Sequence, residues 1–280
     1  MIKAVIFDLD GTLLNTIDDL ANASNWALEQ MGLPTHEVDA YKQFVGDGRR
    51  NLVLRMLPPA QSADPAAVER ASALFDEYYS AHLRDCTAPY PGIPELLRAL
   101  RARGIRTGVV SNKPHEFVTR IIDDYFPGLF DSVAGQQGTL IKPDPTGVNK
   151  VITAFHLHPD QVLYVGDSGV DIKTAQNAKA VSCGVLWGFR GEAELSAAGA
   201  AALASVPEDI LTYLVHRNRA EAANRALALF TVAVMVVCLA GIFYFLSQAN
   251  GAGIAACVVL PLLMGFAATR MLRKNQKEQQ

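Results

Sequence analysis

The sequence predicts an α/β protein: a doubly wound parallel sheet with an inserted helical cap, followed by a two-helix transmembrane hairpin. Three observations predict it. Short β-branched runs alternate with helical stretches, and each run ends in Asp, Gly, Ser or Asn; strand and helix in alternation build parallel sheets. The alternation is interrupted once, over roughly residues 15 to 88, by helices alone. Finally, the 44 residues between Arg225 and Arg270 contain no Asp, Glu, Lys, Arg or His.

Strands are expected at 4–8, 106–111, 162–167 and 181–186, and helices at 94–103, 114–125 and 145–155. Gly104 closes the first of these helices. Within the interruption, the first helix starts from Thr16 as N-cap with Asp18 and Asp19 in its first turn. Ile17, Leu20, Ala21, Leu28 and Met31 share one face, and Gly32 and Pro34 stop it. Further helices are expected at 37–44, 49–57 and 65–83, and Pro89, Pro91, Gly92 and Pro94 mark the return to the sheet. An all-helical insertion directly after the first strand reads as a cap. The expected organisation is a core of 1–15 and 89–215, a cap of 16–88, a basic linker of 216–225, a membrane hairpin of 226–269 and a basic tail of 270–280.

The apolar run 226–246 has 21 residues and would span roughly 30 Å at 1.5 Å per residue, the thickness of a bilayer core. A short polar break, 247–251, leads to a second run, 252–268, which contains Pro261. A buried soluble hairpin would show a polar face, and neither run has one. Arg217, Arg219 and Arg225 precede the hairpin, and Arg270, Arg273, Lys274 and Lys277 follow it. By the positive-inside rule both termini and the front domain face the cytoplasm of an integral membrane protein. The N-terminal apolar run is too short for a signal peptide.

Composition narrows the function. A net charge of −3 without a basic stripe excludes nucleic-acid binding as a main role. Cys86, Cys183, Cys238 and Cys257 form no CxxC pair and read as buried small hydrophobes in a reducing compartment. No histidine spacing is ligand-like, and Trp26 and Trp187 read as packing residues.

The polar residues gather at strand ends, where α/β sheets bind ligands. The first strand ends in Asp8-Leu9-Asp10-Gly11-Thr12, and a turn helped by Gly11 is needed to bring the two carboxylates together. A second acid pair, Asp167 and Asp171, follows another strand in Gly166-Asp167-Ser168-Gly169-Val170-Asp171. Four carboxylates in one pocket repel unless a divalent cation sits among them, and hard oxygen ligands suit Mg²⁺.

Four motifs in this order, Asp8 to Thr12, Ser111-Asn112-Lys113-Pro114, Lys142-Pro143-Asp144-Pro145 and Gly166 to Asp171, resemble the haloacid dehalogenase superfamily. The resemblance is to its phosphoglycolate-phosphatase-like members and covers about residues 2 to 215. Val45-Gly46-Asp47-Gly48 and Leu186-Trp187-Gly188-Phe189-Arg190 look like the same subgroup. It implies a Rossmann-like core and hydrolysis of a small phosphorylated metabolite. Asp8 would be the nucleophile and Asp10 the general acid and base. Ser111, Asn112 and Lys142 would bind the phosphoryl group. Asp8, Asp167 and the Asp10 backbone carbonyl would hold Mg²⁺, with Asp171 one step behind.

Asp10 favours a phosphatase over the ion-pumping relatives, which carry Thr there, and over the dehalogenases, which lack that acid. Asn15 departs from the Asp of many relatives, and the hairpin departs from the usual soluble members. Arg49 and Arg50, beside the cap loop, are candidates for reading the rest of the substrate, or else begin a solvated helix. A sugar-phosphate mutase shares the acid pair and cap and stands as the alternative enzyme. A non-catalytic membrane scaffold is the alternative from another class. The sequence does not specify an oligomeric state.

Overall fold

The structure is a computed structural model and describes residues 1–247. The chain opens with β1 (Ala4–Phe7) and β2 (Leu14–Asn15). Five helices follow: α1 (Ile17–Gln30), α2 (Val38–Phe44), α3 (Arg49–Met56), α4 (Pro59–Ser62) and α5 (Pro65–His82). Next come β3 (Ala88–Pro89), α6 (Ile93–Ala102), β4 (Arg106–Pro114), α7 (His115–Tyr125), β5 (Ser132–Gln136) and α8 (Thr146–Ala154). The remaining elements are β6 (Val162–Gly166), α9 (Gly169–Asn177), β7 (Val181–Val185), α10 (Glu192–Ala197), β8 (Ala202–Ala204) and α11 (Pro207–Ser247).

Six strands form one parallel sheet in the order β5-β4-β1-β6-β7-β8. All residues of β1 and β6 are buried, as strands covered on both faces must be. Ala4, Ile6 and Tyr164 pack with Val148, Val151, Ile152 and Ala175 of the helices α8 and α9. Helix α6 turns Ile93, Leu96, Leu97 and Leu100 inward at helical spacing, and each such burial stabilises by about 1.5–3 kcal/mol.

The chain leaves β1 in one direction for β4 and β5 and later returns to its other side for β6 to β8. That reversal opens a crevice at the carboxyl end of β1. Register delivers the motifs there: Phe7 pairs with Val109 on one side and Val165 on the other, so Asp8, Ser111 and Asp167 emerge at one edge.

The five helices α1 to α5 are joined to the sheet by the antiparallel pair β2 and β3, Leu14 with Pro89 and Asn15 with Ala88. Asp19, buried in α1, fixes the return crossing, accepting from the Cys86 and Thr87 backbone N–H groups at 2.8 Å each. Thr16 is the N-cap of α1 as expected, its carbonyl accepting from Leu20 N–H, but its side chain does not cap. Its hydroxyl donates instead to Asp10 Oδ1 at 2.7 Å. Cys86 is a correction, because it is exposed, whereas Cys183 is buried as expected.

Residues Ile2–Thr212 form one compact unit, and the described helical residues from Tyr213 to Ser247 belong to a second. Helix α11 has 41 residues. Its stretch Pro207–Tyr244 is long and apolar enough to cross a membrane, the one such helix among the described residues. Leu229, Phe230, Val232, Val237, Leu239 and Phe243 are exposed on it. The expected second span, 252–268, lies outside the described residues, as does Cys257.

Candidate active site

At the end of β1 the backbone turns at once. Leu9 O accepts from Thr12, Leu13 and Leu14 N–H, and Gly11 adopts φ +80°. A Cβ on Gly11 would stand 2.3 Å from Asp167 Oδ2, so close approach as well as conformation demands glycine. The turn aims Asp8 and Asp10 into one cavity while giving each its own lysine.

The first half of the site surrounds Asp8. Carboxylate oxygens of Asp8, Asp167 and Asp171 lie within 4.8 Å of one another, and all three residues are buried. Lys142 Nζ stands 2.7 Å from both Asp8 Oδ1 and Asp171 Oδ1. It hydrogen-bonds Asp171, while the Asp8 contact is an ion pair off hydrogen-bond geometry. Asp171 Oδ2 accepts from the Ser168 hydroxyl at 2.6 Å, closing a capping box on α9. Asp167 Oδ2 accepts from the Phe189 N–H at 2.7 Å.

Burial pushes Asp8 up to about 7, against the pull of Lys142 and with repulsion from Asp171 adding to it. Burial, then repulsion from Asp171 and Asp8, raises Asp167 well above the carboxylate range. Burial works against the Lys142 charge, yet Asp171 and Asp8 hold its pKa well above the usual value. Three carboxylates against one ammonium leave negative charge in excess. Both Asp171 oxygens are committed, so Asp8 and Asp167 retain the capacity to bind a cation.

The second half surrounds Asp10. Its Oδ1 accepts from Lys113 Nζ at 2.5 Å and from Thr16, and the residue lines the cavity. Lys113 is buried and stands 5.1 Å from the centre of the Tyr79 ring. Burial opposes the ammonium, but Asp10 and Tyr79 together raise its pKa. Burial likewise pushes Tyr79 up to about 12 against the pull of Lys113.

Ser111, Asn112 and Lys113 all come from the end of β4, where a register shift lies between Val110 and Pro114. Ser111 faces the cavity. The Asn112 side chain accepts from Lys142 N–H at 2.7 Å and donates to Gly46 O at 3.0 Å, tying the lysine loop to the 45–48 loop of the helical insertion. Arg190 makes a second tie, donating to Val45 O at 3.1 Å.

The cavity between these groups has apolar walls from Leu20, Val45, Leu52, Phe75 and Phe117. Arg49 lines it, ion-paired to Asp76 of α5, while Arg50 is exposed and outside the lining. The structure therefore brings Asp8, Asp10, Ser111, Asn112 and Lys142 together, with Asp167 directly behind Asp8. Sequence reasoning missed Lys113 and Tyr79. Lys113 stood inside a quoted motif and carried the signal of a lysine at a strand end. Tyr79 carried none, because with Phe75 it reads as a core stripe.

A buried carboxylate held against a lysine at the crevice of a parallel sheet, with a second carboxylate facing the same cavity, equips an α/β enzyme for phosphoryl transfer. Comparison with known proteins sharpens the class to a family. Residues 5–185 match the haloacid dehalogenase-like hydrolases, and the chain belongs to that family.

Among its relatives, the phosphoglycolate phosphatase of Pseudomonas putida is 35% identical over 193 residues, covering 67% of this chain and 70% of that protein. The phosphoglycolate phosphatase of Vibrio vulnificus is 33% identical over 205 residues, covering 70% and 89%. Among solved structures, a predicted phosphoglycolate phosphatase from Haemophilus somnus is 30% identical with a TM-score of 0.71, covering 76% of this chain and 98% of that one. A provisionally named phosphoglycolate phosphatase from Lactobacillus delbrueckii subsp. bulgaricus is 33% identical with a TM-score of 0.70, covering 74% and 96%. The chain is a phosphatase similar to the phosphoglycolate phosphatases.

Proposed function

We propose that this phosphatase hydrolyses a small phosphomonoester of the 2-phosphoglycolate type, with Asp8 as nucleophile and Mg²⁺ as cofactor. The observation that carries the reading is the position of Asp8, buried at the sheet crevice against Lys142, with Asp10 lining the same cavity. The Asp8 carboxylate attacks phosphorus, the bond from phosphorus to the leaving oxygen breaks, and an aspartyl-phosphate forms. Asp10 gives its proton to the leaving oxygen and then takes one from the attacking water. Attack by water breaks the bond from phosphorus to Asp8, releases phosphate and restores the carboxylate. Ser111 and the Asn112 N–H donate to the equatorial oxygens, and Lys142 offsets their charge.

The donor set fits a hard divalent cation: it is all oxygen, and its carboxylates outnumber its lysine. Asp8, Asp167 and the Asp10 backbone carbonyl would hold it, with Asp171 supporting Lys142 from behind. When bound, the cation neutralises charge on the phosphoryl oxygens and keeps Asp8 ionised.

Residues 16–88 act as the cap, whose apolar walls exclude water from the phosphoryl group. The exposed apolar stretch of α11, flanked by arginines, supports tethering to a bilayer with the catalytic domain cytoplasmic. Full-length protein left in the membrane after a carbonate wash is the expected result; release by the wash overturns the tether.

Phosphate release from 2-phosphoglycolate by the full chain in detergent tests the activity. Turnover with Mg²⁺, loss on chelation and loss in Asp8→Asn are expected. Retained turnover in Asp8→Asn overturns the nucleophile assignment, and product formation that needs a bisphosphate primer and frees no phosphate points to a mutase.

A further inference from the structure

Lys113 and Tyr79 are not consumed by the mechanism above. The Lys113 ammonium has three protons to donate, and its one acceptor is Asp10 Oδ1. The ammonium stands 5.1 Å from the centre of the Tyr79 ring and also pulls on the Tyr79 hydroxyl, off hydrogen-bond geometry. The Tyr79 residue is 1% exposed, lines the cavity, and its hydroxyl is buried without a hydrogen-bond partner. A buried donor left unmatched is unfavourable unless a ligand completes it. The surrounding wall is apolar, and the other cation lining the cavity, Arg49, is paired with Asp76.

We propose that Lys113 and Tyr79 form the leaving-group subsite, taking a single anionic group through the remaining ammonium protons and the Tyr79 hydroxyl. This rests on the phosphatase reading and names its substrate class. Reach decides the size. Lys113 Nζ lies 2.5 Å from Asp10 Oδ1, and the other oxygen of the same carboxylate serves the leaving oxygen. An anion within hydrogen-bond distance of that ammonium, about 2.7–2.9 Å, therefore sits within about two carbons of the ester oxygen. A carboxylate on a two- or three-carbon alcohol satisfies this. A second phosphate at the far end of a sugar does not. Lys113 is thus a specificity residue that also positions Asp10, and Tyr79 carries the insertion's share of recognition.

The test compares kcat/KM of the full chain in detergent for 2-phosphoglycolate, for ethyl phosphate, whose leaving group has the same length without charge, and for a sugar bisphosphate. Wild type is expected to prefer 2-phosphoglycolate over both. In Lys113→Met the preference over ethyl phosphate should fall by about ten- to a hundredfold, the size of a charged hydrogen bond, chiefly through KM. Lys113→Arg should keep most of it. Tyr79→Phe, which preserves the ring and its packing, should lower the preference by about three- to tenfold. An unchanged preference in both Lys113→Met and Tyr79→Phe overturns the subsite, as does a wild-type preference for the bisphosphate. Wild type that releases phosphate from none of the three overturns the phosphatase reading and the subsite with it.

Discussion

Lys142 and Lys113 are both buried cations paired with an aspartate of the β1 loop, yet Lys142 touches two carboxylates and Lys113 one. The partners of Lys142 come from the sheet edge: Asp8 after β1 and Asp171 on α9 following β6. Those of Lys113 are Asp10 from the same loop and the Tyr79 ring from the helical insertion. The chemical half is thus closed by elements that parallel pairing fixes in register. The leaving-group half is completed by side chains from helices held to the sheet by the β2–β3 pair, the linkers and a few side-chain ties such as Asn112 to Gly46 O and Arg190 to Val45 O. The proposed roles divide reaction and specificity between the two, and removing each lysine tests the division.

Lys142→Met gives the largest expected effect. It strips Asp8 and Asp171 of their shared cation while both remain buried, and breaking a buried pair from one side costs about 3–5 kcal/mol. Stability and turnover should fall together, and thermal unfolding followed beside phosphate release checks both. A variant that folds like wild type and turns over normally would put the chemistry elsewhere. Asp10→Asn should be gentler on the fold, since Asn still accepts from Lys113 and Thr16, but should lower kcat by about 10²–10⁴ as acid–base catalysis is lost. A rise in KM with kcat unchanged would instead mark Asp10 as a binding group.

The half around Asp8 also responds to pH. Burial raises Asp8 to about 7 and Asp167 in the same direction. Between the ordinary carboxylate value of 3.8 and about 7, the metal-free folded chain holds more protons than the unfolded one, so its stability falls as pH rises through that window. A divalent cation binds the ionised carboxylates, so the Tm gain on adding Mg²⁺ should be larger at pH 8 than at pH 5. Equal gains at both values would remove Asp8 and Asp167 from the cation site.

The contrast between the halves also explains what was legible in the sequence. β1 and β6 are buried on both faces and read as apolar runs that end in acids, so they were legible as strands of a parallel sheet. β5, Ser-Val-Ala-Gly-Gln, and β8, three residues, were not legible, because edge strands need no apolar run. Thr16 carried an N-cap signal and stands at the N-cap, but that its hydroxyl would serve Asp10 instead of the helix was not legible. Lys113 looked like loop because the motif around it was taken to end the strand at Ser111, whereas β4 continues to Pro114. The leaving-group half was least legible since Tyr79 is brought to Lys113 by tertiary packing alone.

The smallest expected effect separates the hinge from both halves. Asp19 touches neither lysine; its two oxygens take the Cys86 and Thr87 N–H groups, where the chain comes back from the insertion. Asp19→Ala leaves those donors without their carboxylate and should cost about 1–3 kcal/mol of stability. Since the insertion supplies Tyr79 and the apolar wall but not Asp8, Lys142 or Asp167, the loosened hinge should raise KM for 2-phosphoglycolate more than it lowers kcat. Steady-state kinetics below the shifted Tm measure the split. A fall in kcat with KM unchanged would mean that the insertion holds the chemical half in place as well, and that the division between the two lysines is less clean than their partners make it.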